Sequence, residues 1–231
     1  MKIVRVLDNI VDTIYRIIFI VILLLGLYYI YDTYYIFNHA SASHVRVSKP
    51  GSEAAAASRP LTEDYIAWLT VEDTSIDYPI MQGDTNSEYL NKDPYGDYSL
   101  SGSIFLDSRN DSEFKDSYSL VYGHHMESNF MFGALDAFMD KEYYQAHQTG
   151  TIETKSGIIY DIEIFACIQT DANNEAIFNP QGSEVLLQSI PATQYYQNPK
   201  NKHIVALSTC LEPGSTRRTV VLATLEEREG N

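Results

Sequence analysis

Apolar positions fall into three regimes along this chain. Residues 17–31 (IIFIVILLLGLYYIY) are apolar throughout, and residues 38–60 (NHASASHVRVSKPGSEAAAASRP) show no apolar period. From Leu61 onward, short apolar runs alternate with turn signals. The first run is shorter than the roughly 20 residues that cross a bilayer. Ile10, Val11, Ile14 and Tyr15 extend it backward, and Tyr34, Tyr35 and Phe37 carry it forward. Lys2, Arg5 and Arg16 lie on its N-terminal side and tyrosines from Tyr28 to Tyr35 form an interfacial belt, which predicts an anchor with its N-terminus inside. The competing reading is a cleaved signal peptide, with Ala40-Ser41-Ala42 imitating a cleavage site, although that site lies well past the apolar core. Both readings place the bulk of the chain outside the cytoplasm. The expected organisation is a cytoplasmic N-terminus over 1–16, a transmembrane anchor over 17–37, an extracellular linker over 38–60 and a folded domain over 61–231.

Within the domain the pattern is mostly that of strands. Ile66–Thr70, Ile76–Met81 and Ile104–Leu106 are short apolar runs between turn signals such as Gly83-Asp84 and Asp93-Pro94. Tyr118–His124 alternates, with Tyr118, Leu120, Tyr122 and His124 on one face. Ile158–Gln169 puts Ile158, Tyr160, Ile162, Ile164 and Ile168 on one side, and Cys167 on the other. Met131, Leu135, Phe138 and Met139 follow helical spacing, and Ser183 reads as the N-cap of a helix stopped by Pro191. Many short strands with few helices predict a mostly β domain, a closed or nearly closed barrel. Trp68 reads as core, and His147 as an exposed helix end.

Composition narrows the function classes. A net charge of −15 with no basic stripe argues against nucleic acid. Cys167 and Cys210 are the chain's two cysteines, too few for a disulfide scaffold, and no spacing reads as a zinc site or calcium loop. No metal or cofactor is expected. One Cys167–Cys210 bridge is the alternative to free thiols in an oxidising compartment.

Candidate chemistry concentrates at strand ends. The run Ile204–Thr209 ends at Cys210, turns through Glu212-Pro213-Gly214-Ser215, and returns from Arg218. An antiparallel return brings Arg218 near Cys210 at one rim of the sheet. A cation beside a thiol favours the nucleophilic thiolate, and a guanidinium suits an oxyanion. His124, also at a strand end, has the chemistry to protonate a leaving amine and accept a proton later. The bland alternative is a buried strand-end cysteine and a solvated arginine.

Tyr122-Gly123-His124, Leu207-x-Thr209-Cys210 and Arg218-x-Val220-Val221 together resemble the sortases, Gram-positive transpeptidases that attach proteins to the cell wall or link pilins. The resemblance covers roughly Leu61 to Leu225. It extends to class B members in Asp77-Tyr78-Pro79-Ile80, in Gly102-Ser103-Ile104-Phe105-Leu106-Asp107, in the Met131-Phe132 helix and in the predicted helix at 183–190. It implies an eight-stranded β-barrel, a catalytic domain over 61–231, and His124, Cys210 and Arg218 as the catalytic residues. The implied reaction cleaves a sorting signal after Thr through a thioester on Cys210. The implied partners are surface or pilin proteins bearing that signal and an amine acceptor, either a cell-wall precursor or a pilin lysine. His125 and Arg217 are adjacent decoys. Ser208 and Thr209 are candidate substrate-binding residues, Ser208 alternatively bonding to backbone. Ala206 stands where the family usually has Thr. Asp93-Pro94-Tyr95 resembles a class C lid but reads as an ordinary turn. Two other functions remain open: a thiol hydrolase using water, and a non-catalytic β-domain binding protein or glycan.

Overall fold

The computed structural model describes residues 2–52, 59–126, 129–180, 190, 197, 199, 203–210 and 216–229. The chain divides into two compact units, Met1–Ser41 and Ala42–Asn231. Helix α1 runs from Lys2 to Arg46. Its stretch Asn9–Tyr35, 27 residues with mean hydropathy 2.4, is long and apolar enough to cross a membrane. At 1.5 Å per residue that is roughly 40 Å. The helix continues through the first residues of the expected linker, where no Gly or Pro occurs between Asn38 and Lys49.

Eight strands close a barrel: β1 (Tyr65–Val71), β2 (Asp77–Met81), β3 (Ile104–Leu106), β4 (Tyr118–Gly123), β5 (Thr149–Thr154), β6 (Ile159–Asp171), β7 (Ile204–Cys210) and β8 (Arg217–Glu227). Their order around the barrel is β1-β2-β3-β4-β7-β8-β6-β5. The β2–β3 and β4–β7 pairs are parallel and the others antiparallel. Alternation sorts side chains into an interior cluster fed by all eight strands, including Leu69, Ile80, Ile104, Val121, Ile152, Ile164, Leu207 and Val221. The 3₁₀ helix Phe132–Met139 packs Phe132, Leu135 and Phe138 into the same cluster. Helix α2 (Lys141–Ala146) follows, capped by Asp140, whose side chain accepts from Tyr143 N. A second cluster covers the outer face of β4, β6, β7 and β8, joined by Ile177 of the short helix α3 (Glu175–Phe178). A third holds Trp68, Tyr89 and Phe105.

Three readings of the pattern change. β5 (TGTIET) carries no alternating apolar signal, since Ile152 is its sole large apolar residue, and it forms through pairing with β1 and β6. In β6 a register shift between Ile164 and Ala166 reverses the alternation. Ile168 consequently joins the outer cluster, and Cys167, expected to face away from the isoleucines, joins them in the interior. His147 is half-buried, its Nδ1 2.7 Å from Tyr143 O and its ring stacked on Tyr143 at 4.0 Å. The helix expected at 183–190 lies outside the described residues except for Ile190, which is buried in the outer cluster.

Candidate active site

Neighbouring strands β4, β7 and β8 end at one rim of the barrel. The parallel β4–β7 register runs to Gly123↔Thr209; His124 follows directly on the end of β4 and Cys210 is the last residue of β7. The antiparallel β7–β8 register pairs Cys210 directly with Arg218. Residues 86 and 94 positions apart from His124 in sequence thus meet it at one edge.

Strand parity assigns faces. Ile204 and Ala206 of β7, Tyr118 and Leu120 of β4, and Val220 and Leu222 of β8 belong to the outer cluster. Ser208, position 210, His124 and Arg218 continue those rows. Thr209 continues the other row, with Val205 and Leu207 of the interior cluster, and is buried opposite Thr219. The two candidate substrate-binding residues therefore lie on opposite faces of one strand. The Ser208 hydroxyl is buried and has no hydrogen-bond partner among the described residues. Ala206 is fully buried between Leu120 and Leu222 in register, so a family-type hydroxyl there would be packed against apolar neighbours. The decoys separate as well. Arg217 falls on the other parity and reaches Gln169 Oε1 at 3.4 Å, and His125 bonds Asp136 Oδ2 through Nε2 at 3.0 Å.

Several contacts hold His124. Its carbonyl accepts from Phe132 N at 3.1 Å, and its half-buried ring presents Nε2 2.7 Å from Leu90 O. The preceding residue is glycine because a Cβ at Gly123 would lie 2.4 Å from Ile104 Cδ1 and 2.8 Å from Phe132 Cδ2. Arg218 is half-buried, its Nη1 donating to Arg217 O at 3.2 Å. The Asp171 carboxyl lies at the same end of the sheet. The Thr216 hydroxyl first, then Asn173 and the Arg218 charge, hold it below the usual carboxylate range.

Behind His124, the Tyr122 hydroxyl donates to Asp107 Oδ2 at 3.0 Å, and the Tyr122 ring stacks on Phe178 of α3 at 6.4 Å. Asp107 is fully buried and accepts from Arg109 Nε and Nη2 at 2.8 and 2.7 Å and from Asn86 Nδ2 at 2.9 Å. Burial pushes this carboxyl up, but the Arg109 and Asn86 donors outweigh it and hold it low. Burial, then the Asp107 charge, pushes the Tyr122 phenol up, keeping it a neutral donor. Arg109 Nη2 also reaches Phe178 O at 3.1 Å, which ties α3 to the His124 strand. Sequence reasoning passed over this network, although both its acid and its tyrosine sit inside the motifs quoted above.

The geometry agrees with the comparisons to known proteins. The family model described as a Sortase domain matches residues 69–226. The chain is 36% identical to Sortase B of Listeria monocytogenes over 160 residues, 65% of this chain and 64% of that protein, so it spans just under two thirds of that relative's length. A Streptococcus pyogenes class B sortase involved in pilus biogenesis superposes with a TM-score of 0.66 at 44% identity, covering 72% of this chain and 94% of that one. A Staphylococcus aureus sortase B–substrate complex superposes with a TM-score of 0.63 at 29% identity, covering 73% and 82%.

Proposed function

This chain belongs to the sortase family, in its class B branch, and we propose that it is a cysteine transpeptidase with Cys210, His124 and Arg218 as its catalytic residues. Cys210 attacks the carbonyl that follows a threonine side chain in a C-terminal sorting signal. The C–N bond breaks, His124 protonates the leaving amine, and the acyl chain remains on sulfur as a thioester. A primary amine then attacks, His124 takes its proton, and the thiolate returns. The Arg218 guanidinium favours the thiolate and offers a planar pair of donors to the oxyanion. Ser208 forms part of the floor on the same face. Thr209, on the interior side, contributes through its main chain. The register pairing Cys210 with Arg218 beside the His124 strand is the observation that carries this reading.

The substrates in this reading are surface or pilin proteins bearing a sorting signal, and the acceptor is the amine of a cell-wall precursor or a pilin lysine. The domain 61–231 works outside the cell, tethered by α1, with Lys2, Arg5 and Arg16 favouring the cytoplasmic side. The test is incubation of the full chain with a sorting-signal peptide and a range of primary amines. Amine-linked product is expected; hydrolysis product alone at every amine concentration would make it a thiol hydrolase, and no cleavage of any sorting peptide would end the enzyme reading.

A further inference from the structure

His124 Nε2 lies 2.7 Å from the main-chain carbonyl oxygen of Leu90. A carbonyl oxygen only accepts, so Nε2 carries the proton, and Nδ1 is the nitrogen left for exchange with a reactant. The carbonyl is borne by a firmly held turn. Tyr89 is fully buried and its hydroxyl donates to Asp64 Oδ2 at 2.6 Å, while Lys92 Nζ donates to Glu88 Oε1 at 2.8 Å. Gly102 returns the chain against this turn with φ +57°, and Ser103 N donates to Tyr89 O at 3.0 Å. A Cβ at Gly102 would lie 2.4 Å from Leu90 O and 2.5 Å from Tyr89 O. Both the left-handed backbone and the crowding require glycine there.

We propose that the Leu90 carbonyl is the positioning group for His124, and that Gly102 is the positioning residue whose missing side chain lets that carbonyl reach the ring. The inference rests on His124 being the acid–base residue. In the first half-reaction the C–N bond breaks as Nδ1–H passes its proton to the leaving nitrogen. In the second, Nδ1 takes a proton from the attacking amine as the C–S bond breaks. The Nε2 proton stays with Leu90 throughout.

The test uses the full chain in detergent micelles, labelled with ¹⁵N-histidine. The unmodified protein should show an Nε2–H proton slow to exchange with water, absent in His124→Gln. Gly102→Ala, checked by circular dichroism and melting, should lose that signal and lower kcat about ten- to a hundredfold, with KM within about twofold. Leu90→Ala keeps the carbonyl and should keep the signal. No protected Nε2–H in the unmodified chain would overturn the proposal whether or not Gly102→Ala folds. So would its persistence in Gly102→Ala with normal kcat, or its loss in Leu90→Ala. A protected proton in a chain that transfers no acyl group would instead sink the transpeptidase reading and leave the brace standing.

Discussion

The chain's two cysteines sit in opposite settings. Cys167 lies mid-strand in β6, fully buried among the interior residues, its Sγ 4.0 Å from Leu135 O. Burial, and then the nearby Asp136 charge, pushes its thiol far up, so it stays neutral and unreactive. Cys210 ends β7 at the rim, directly paired with a guanidinium-bearing residue and one position beyond the β4–β7 register that leads to His124. The residue type is the same; position along the strand separates a packing atom from a proposed nucleophile. Cys167 is a free, buried thiol.

The comparison breaks most sharply by exchange. Cys210→Ala should abolish turnover, a loss of about 10⁴-fold or more, whereas Cys167→Ala should retain it, both read by peptide cleavage. Alkylation of the native chain at neutral pH should modify Cys210 at least about 10³ times faster than Cys167, with Cys167 catching up only after unfolding; peptide mapping reads the ratio. Arg218→Lys should cost about 10²-fold in kcat/KM, because an ammonium does not replace a planar fork. Arg217→Lys, on the other parity, should cost less than about twofold by the same assay.

The smallest effect lies at the buried site. Cys167→Ala should lower stability by about 1 kcal/mol through the lost sulfur contacts, seen in urea melts. A thiol whose folded pKa is raised contributes its full stability below its unfolded value, near 9, and loses that contribution as pH rises further. The gap between the parent chain and Cys167→Ala should therefore narrow above that pH.

How far the sequence reaches depends on how local each contact is. The Cys210–Arg218 pairing was legible because a short turn joins two apolar runs, and turn length sets antiparallel register. The His124–Cys210 neighbourhood was not legible from the residues themselves. It rests on a parallel β4–β7 pairing between segments separated in sequence by two strands, β5 and β6, and only the family resemblance supplied it. The bulge in β6 left no mark in its composition and inverted the expected places of Cys167 and Ile168. β5 has too little apolar character to announce itself. The Leu90 carbonyl is a backbone atom with no side-chain signature at all, and Gly102, quoted only as part of a motif, was the sole trace of it.

The most direct test of the central claim is a mass measurement on the acyl-enzyme trapped with a sorting-signal peptide, followed by peptide mapping. The account predicts one acyl adduct, labile to hydroxylamine, on the peptide containing Cys210 and none on the peptide containing Cys167. An adduct on Cys167, or continued turnover by Cys210→Ala, would contradict it.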